Sequence, residues 1–216
     1  MQVKAKNAIL AVATLKGGSG KSTLASCLAV YWRLSGRNPV LVDADPQRSL
    51  ARLATRPRAL ADVPVVENCG DDVIETARTL ARSHTPVIID TAGFRAPSTL
   101  AALAAADLVV VPVKASPLDV DVMIDTARTL FAEGDATSIR FRCVLTQTTH
   151  DSVIARHIRA ELVEAGFPLF DSEFVNRIAY CEAALFGATP SMTEPRGAAA
   201  REIKALAGEI EALLVF

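Results

Sequence analysis

The chain has 216 residues, half of them hydrophobic and only 5% aromatic. That length suits a single α/β domain over residues 1–216, with a core mostly of Ala, Val, Leu and Ile, as in helices packed on both faces of a buried parallel sheet. The formal net charge of −1 excludes a general polycation, so any contact with nucleic acid must come from a local patch. Cys27, Cys69, Cys143 and Cys181 are widely spaced and form no CxxC pair, which argues for buried thiols in a reducing cytoplasm rather than a zinc or iron–sulfur site. From Met1 to Leu15 lysines and an apolar run are followed by a glycine-rich loop, not by a small-residue cleavage site, so no secretory signal is expected. No apolar stretch approaches the roughly 20 residues needed to cross a bilayer.

Apolar runs alternate with helical patterns along the whole chain. Ala8 to Leu15 reads as a buried strand. Lys21 to Ser35 reads as a helix stopped by Gly36, with Trp32 in the core. Pro39 to Asp43 is a second strand and Ser49 to Leu53 the start of a short helix. The arginine- and alanine-rich stretch from Arg52 to Val63 has no clear period. Asp72 to His84 is helical, with Val73, Ala77, Leu80 and Ala81 on one face. Pro86 to Asp90 is a core strand, and Ser98 caps a helix running to Ala106. Strands follow at Leu108 to Val113 and Phe141 to Thr146, and a short one at Pro168 to Phe170. Helices follow at Asp119 to Ala132, Ser152 to Ala165 (closed by Gly166), Ile178 to Phe186 and Ala198 to Leu214. This alternation predicts right-handed crossovers and a mostly parallel, twisted sheet with helices on both faces. His84, His150 and His157 match no catalytic arrangement and read as surface or helix-end residues.

The strongest motif is Lys16-Gly17-Gly18-Ser19-Gly20-Lys21-Ser22-Thr23, placed between a strand and a helix as a phosphate loop requires. Its glycines let backbone N–H groups close round a phosphate chain without Cβ obstruction. The helix N-terminus adds partial positive charge. Lys21 is placed to neutralise β/γ-phosphate charge and the Ser22 hydroxyl to ligate Mg²⁺. The general pattern Gly-x-x-x-x-Gly-Lys fails, because position 15 is Leu and Lys16 opens the motif.

That failure resembles the deviant Walker A motif of the ParA/MinD ATPase family, which implies a P-loop NTPase fold. In that family the extra lysine, here Lys16, reaches across a dimer to the partner's nucleotide and offsets transition-state charge as an arginine finger does. Asp43-Ala44-Asp45-Pro46-Gln47 resembles the family's Asp-x-Asp-Pro-Gln motif. The resemblance implies that Asp45 positions the attacking water and that Asp43 supports the magnesium shell. Val87-Ile88-Ile89-Asp90 reads as Walker B, with Asp90 on the water shell of Mg²⁺, and Gly93 lets the following loop sense the γ-phosphate. All three elements fall at the C-terminal ends of strands, where open α/β sheets bind ligands.

The segment Pro112-Val113-Lys114-Ala115-Ser116-Pro117-Leu118-Asp119 is similar to one in the small ParF-like partition ATPases, and the resemblance leads us to expect no long N-terminal DNA-binding domain. In those ATPases the segment contributes to the dimer face, which implicates Pro112 and Pro117. Asn176-Arg177 and Pro195-Arg196-Gly197 resemble segments that carry DNA-contacting residues, which implicates Arg177 and Arg196 in binding DNA without sequence preference. The implied function is a cytoplasmic, nucleoid-associated ATPase with a slow basal rate. ATP with Mg²⁺ closes a homodimer on nonspecific DNA, and a small ParB-like or ParG-like adaptor stimulates hydrolysis. Two alternatives stay open. A MinD-like membrane-site protein wants a basic amphipathic C-terminal helix, whereas Arg201 to Phe216 carries Glu202, Glu209 and Glu211 beside few basic residues. A metabolic enzyme of the synthetase or reductase type uses the same loop, but a cluster-binding reductase needs a cysteine just beyond Asp90, and none lies between Asp90 and Arg142. No Asn-Lys-x-Asp base-reading motif of a GTPase occurs.

Overall fold

The computed structural model describes residues 7–14, 17–92, 97–116, 120, 124 and 140–214. Their strands are β1 (Ile9–Val12), β2 (Val40–Ala44), β3 (Val65–Glu67), β4 (Val87–Thr91), β5 (Leu108–Lys114), β6 (Phe141–Thr148) and β7 (Leu169–Val175). They form one sheet in the order β3-β2-β4-β1-β5-β6-β7, and every strand pairing in it is parallel. The helices are α1 (Lys21–Leu34), α2 (Ser49–Ala54), α3 (Val73–Leu80), α4 (Pro97–Ala105), α5 (Val153–Glu164), α6 (Ile178–Leu185), α7 (Pro190–Thr193) and α8 (Ala198–Leu213).

The period-two rule for strands explains the layering. Leu10 and Val12 of β1 face Leu24, Leu28 and Trp32 of α1 and Ile203, Leu206 and Ile210 of α8. Their neighbours Ile9 and Ala11 face the other side, against α3, α4 and α5. A strand covered on both faces shows no alternation in its sequence, which is why β1, β2 and β4 read as plain apolar runs.

Edge strand β7 behaves differently. Its middle, Asp171-Ser172-Glu173, is polar, and the N–H groups of Asp171 and Ser172 donate to the Glu209 carboxylate of α8, each at 2.8 Å. Glu211 accepts from Trp32 Nε1 at 2.8 Å and pairs with Arg37 at 3.2 Å. The acidic residues of α8 are therefore spent inside the protomer, covering an edge that would otherwise offer unpaired donors.

The stretch from Arg52 to Val63 is ordered by tertiary contacts. After α2 the chain turns through Ala59–Asp62 with φ between +37° and +58°. Left-handed backbone costs non-glycine residues roughly 1–2 kcal/mol each. Full burial of Leu60 and bonds from Arg58 N to Phe186 O (2.9 Å) and from Leu60 N to Gly187 O (2.8 Å) oppose that cost. Arg56 donates to the carbonyls of Ala184 and Leu185, both at 2.9 Å. A Cβ at Gly187 would lie 2.5 Å from Leu53 O, so only glycine lets α2 and α6 approach this closely.

Cys27 and Cys143 are buried as expected, but Cys69 and Cys181 are exposed. The Asp119–Ala132 helix, apart from Val120 and Ile124, lies outside the described residues. No described helix is long and apolar enough to cross a membrane.

Candidate nucleotide site

Strand register assembles the site. Val12 pairs with Asp90, and Asp90 pairs with Asp43. Residues level with one another across a parallel sheet point to the same face, so both aspartates lie on the α1 side, where the phosphate loop turns into Lys21 and Ser22. Gly18 (φ +81°) and Gly20 (φ +92°) adopt backbone that residues with a side chain rarely take, and Gly20 is the N-cap of α1. The loop is also held from β6. Thr146 Oγ1 donates to Ser19 O at 2.9 Å and Gln147 Nε2 to Gly18 O at 2.6 Å. With those carbonyls turned to β6, the loop is braced from outside the phosphate-binding side.

The two strand-end aspartates sit in different electrostatic settings. Both are fully buried. Asp43 Oδ2 accepts from Ala51 N at 3.0 Å and Oδ1 from Asp45 N at a long 3.4 Å. Burial raises its pKa, while these backbone bonds work the other way. Asp43 thus anchors the first turn of α2 beside Asp90. Neither oxygen of Asp90 meets a donor in hydrogen-bonding geometry. Burial pushes the Asp90 carboxyl up to about 7, although the nearby Ser22 hydroxyl and Lys21 favour its charged form. An unpartnered buried carboxylate is costly, and beside a hydroxyl it fits a divalent cation, whose oxygen ligands are of this kind.

Asp45 is half-buried and closes the turn into α2, accepting from Gln47 N at 2.9 Å (Oδ1) and from Arg48 N at 2.8 Å (backbone O). A cleft of about 580 Å³ lies between this turn and the phosphate loop. Among the described residues its charged lining is Lys21, Arg52 and Arg56 against Asp45, a balance suited to an anion. A second cavity of about 320 Å³ adjoins the same loop through Ser19, Gly20 and Thr23, with Leu24, Phe174 and Asn176 among its walls. Most of its wall is apolar, with polar side chains such as Gln147, Asn176 and Arg177 set into it, a mix that suits a planar base with hydrogen-bonding edges.

The structure brings together Gly17, Gly18, Ser19, Gly20, Lys21, Ser22, Thr23, Asp43, Asp45 and Asp90. Lys16, Gly93 and Pro117 lie outside the described residues. Pro112 is buried within β5, level with Val144 of β6, and so presents no face to a partner. Arg177 forms a two-pronged ion pair with Glu202 at 2.7 Å and lines the second cavity, which differs from a free DNA contact. Arg196 is exposed, and its carbonyl accepts from Arg201 at 2.6 Å. Thr146, Gln147 and Arg52 were not singled out from sequence, and Asn176 was noted only as part of a DNA-contacting segment. The Thr-Gln pair at the end of a core strand was the available signal for the first two.

A glycine loop between β1 and α1, flanked by aspartates at the ends of neighbouring parallel strands, defines a P-loop nucleotide-binding protein of the open α/β kind. Residues 10–190 match the family model described as the CobQ/CobB/MinD/ParA nucleotide binding domain, and the chain belongs to that family. It is 32% identical over 199 residues to the maintenance of carboxysome distribution protein A of Gloeobacter kilaueensis, covering 91% of this chain and 89% of the relative. It is 26% identical over 184 residues to protein ParA of Rhizobium radiobacter, covering 83% of each. The fold is similar to that of an aspartate-to-alanine variant of Cyanothece McdA in its ATP complex, with a TM-score of 0.73 and 17% identity over 98% of each chain.

Proposed function

We propose that this chain is a Mg²⁺-dependent ATPase that positions a cargo by switching between a monomer and an ATP-closed homodimer on nonspecific DNA. The observation that carries the nucleotide half is the strand register that sets the unpartnered Asp90 beside the phosphate loop. Lys21 and the backbone of Gly17–Gly20 bind the phosphates, beside the cationic wall of Arg52 and Arg56. Ser22 and Asp90 hold Mg²⁺, with Asp43 alongside. Bound there, the cation would supply charge neutralisation to the phosphates. Asp45, on the cleft wall, orients the attacking water. The apolar cavity beside Leu24 and Phe174 takes the base. The positioning role follows the names of the relatives, one a ParA and one a carboxysome-distribution protein. A ParB-like or ParG-like adaptor that stimulates a slow basal turnover, and a cytoplasmic, nucleoid-associated location, complete the reading.

The test of the switch is light scattering with a non-hydrolysable ATP analogue. The wild-type chain is expected to go from monomer to dimer. Lys16→Ala is expected to keep ATP affinity within a few-fold yet to lose dimerisation and stimulated hydrolysis, because a lysine ahead of a tight glycine turn serves the partner's phosphates. Full ATP-driven dimerisation and normal turnover in Lys16→Ala would make it an ordinary P-loop enzyme.

DNA binding is assigned to Arg196 with Arg201 and Lys204, exposed on the first two turns of α8 and just before it. Replacing Arg196 and Arg201 by Glu is expected to weaken duplex binding uniformly across sequences. The slope of log affinity against log salt should fall by about one for each phosphate contact removed. An unchanged slope in a variant that still dimerises removes this face from the DNA contact. Arg177 is a poor probe, since Arg177→Glu sets two carboxylates against each other at the cavity wall.

A further inference from the structure

Glu202 lies on α8, outside every motif and at the far end of the chain from the phosphate loop. Its carboxylate nevertheless gathers four donors from the wall of the base cavity. Val175 N and Tyr180 OH donate to Oε2 at 3.3 and 3.0 Å. Arg177 Nε and a terminal guanidinium nitrogen both donate to Oε1 at 2.7 Å. All three donor residues line that cavity. The Glu202 side chain is only 15% exposed, so water replaces few of these bonds if it is lost. Tyr180 in turn stacks on Phe174, with ring centroids 5.4 Å apart and planes 20° from parallel. Burial, reinforced by the neighbouring Cys27 and Glu202, raises the Tyr180 phenol far above its ordinary range and keeps it a donor.

We propose that Glu202 is the positioning residue for the base end of the nucleotide. It draws the segment from β7 into α6 into one shape and so forms the base wall before ligand arrives. The inference rests on reading the two cavities as one nucleotide site. Its particular content is a division of labour: the phosphate loop is braced by Thr146 and Gln147 of β6, whereas the base wall is braced by Glu202. Losing the carboxylate frees Val175, Arg177 and Tyr180 together, and leaves the guanidinium without its counter-charge. Pre-organisation lost at one end of a ligand lowers affinity only for ligands that use that end.

The distinguishing experiment compares ATP with inorganic tripolyphosphate by calorimetry, on full-length wild type, Glu202→Ala and Glu202→Gln, with thermal melting alongside. Glu202→Ala is expected to weaken ATP binding about 10-fold or more while tripolyphosphate affinity stays within about twofold. Glu202→Gln, which keeps an acceptor but not the charge, should fall between. Tyr180→Phe, which removes one donor and keeps the ring, gives the same ratio in a smaller measure should Glu202→Ala fail to fold. Equal losses for both ligands, or no loss for ATP, would overturn the proposal. If the folded wild type binds tripolyphosphate but not ATP, the base-cavity reading fails and takes the proposal with it. If it binds neither, the nucleotide reading itself is lost.

Discussion

Lys21→Ala is expected to lose ATP binding by about 30-fold to several-thousandfold in calorimetric titration. Lys21 opens α1 immediately after the Gly20 N-cap, so its ammonium works beside the helix N-terminus on the wall of the cleft. Truncating one partner of a desolvated charge pair costs about 2–5 kcal/mol, and about 1.4 kcal/mol is a factor of ten. Arg52 and Arg56 remain on the same wall, but Arg56 is engaged with the Ala184 and Leu185 carbonyls and cannot follow the phosphates freely. The fold should survive, since the core beneath the loop is built from Leu24, Leu28 and Val12. ATP affinity unchanged by the substitution would overturn the assignment of the loop.

Asp90→Asn is expected to stabilise the metal-free protein above neutral pH and to abolish the extra stability that Mg²⁺ with ATP confers. The sign follows from linkage. The carboxyl stands at about 7 in the fold, against 3.8 for an unburied carboxyl. The folded state therefore binds the Asp90 proton more tightly. Its contribution is fully present below about pH 3.8 and is lost as pH rises through 7. At 1.36 kcal/mol per pH unit, the gap corresponds to about 4 kcal/mol of destabilisation when Asp90 ionises. Asparagine removes that cost but leaves a buried amide without partners, which costs about 1–3 kcal/mol. The net gain at pH 8 in EDTA is then about 1–3 kcal/mol, or several degrees in Tm for a chain of this size, and it turns into a loss of about 1–3 kcal/mol towards pH 4, where the ionisation cost is gone and that of the amide remains. Asp43 is shifted in the same direction by burial and leaves a residual slope in the variant. Urea midpoints at pH 5 and pH 8 measure the difference. An identical pH slope in wild type and Asp90→Asn would show that Asp90 is solvated.

Legibility in the sequence followed the physical origin of each element. The core strands were readable because burial on both faces demands unbroken apolar runs, and the phosphate loop because its chemistry requires residues adjacent in sequence. β3 escaped because it is a three-residue edge strand, partly exposed at Val65 and Val66. β7 was read as Pro168 to Phe170 but runs to Val175, because Asp171 and Ser172 take partners from α8 in place of an apolar surface. The left-handed turn at Ala59–Asp62 has no glycine to announce it. It is held by the carbonyls of Phe186 and Gly187, just past α6 and more than a hundred residues later. The same distance hid the base side of the site. Thr146, Gln147, Arg177 and Glu202 belong to three separate elements, and nothing in local spacing joins them. The acidic residues of α8 were legible as charges, and as an argument against a membrane helix. Their actual partners, the β7 edge, the Arg177 guanidinium and Trp32, were not.

The level alignment of Val12, Asp43 and Asp90 also sets which changes in chain length this protein can tolerate. A single inserted or deleted residue within β2 or β4 would turn one aspartate through the sheet to the α3–α4 side. The apolar composition would hardly change, yet the carboxylate would be walled off from Lys21 and Ser22. β3, whose pairing partner is β2 alone, carries none of the aspartates and could slip without moving any of them. Descendants of this sequence should therefore vary in length near β3 and the start of α3, and keep the spans Val40–Asp43 and Val87–Asp90 at fixed length even where every apolar residue within them has been exchanged.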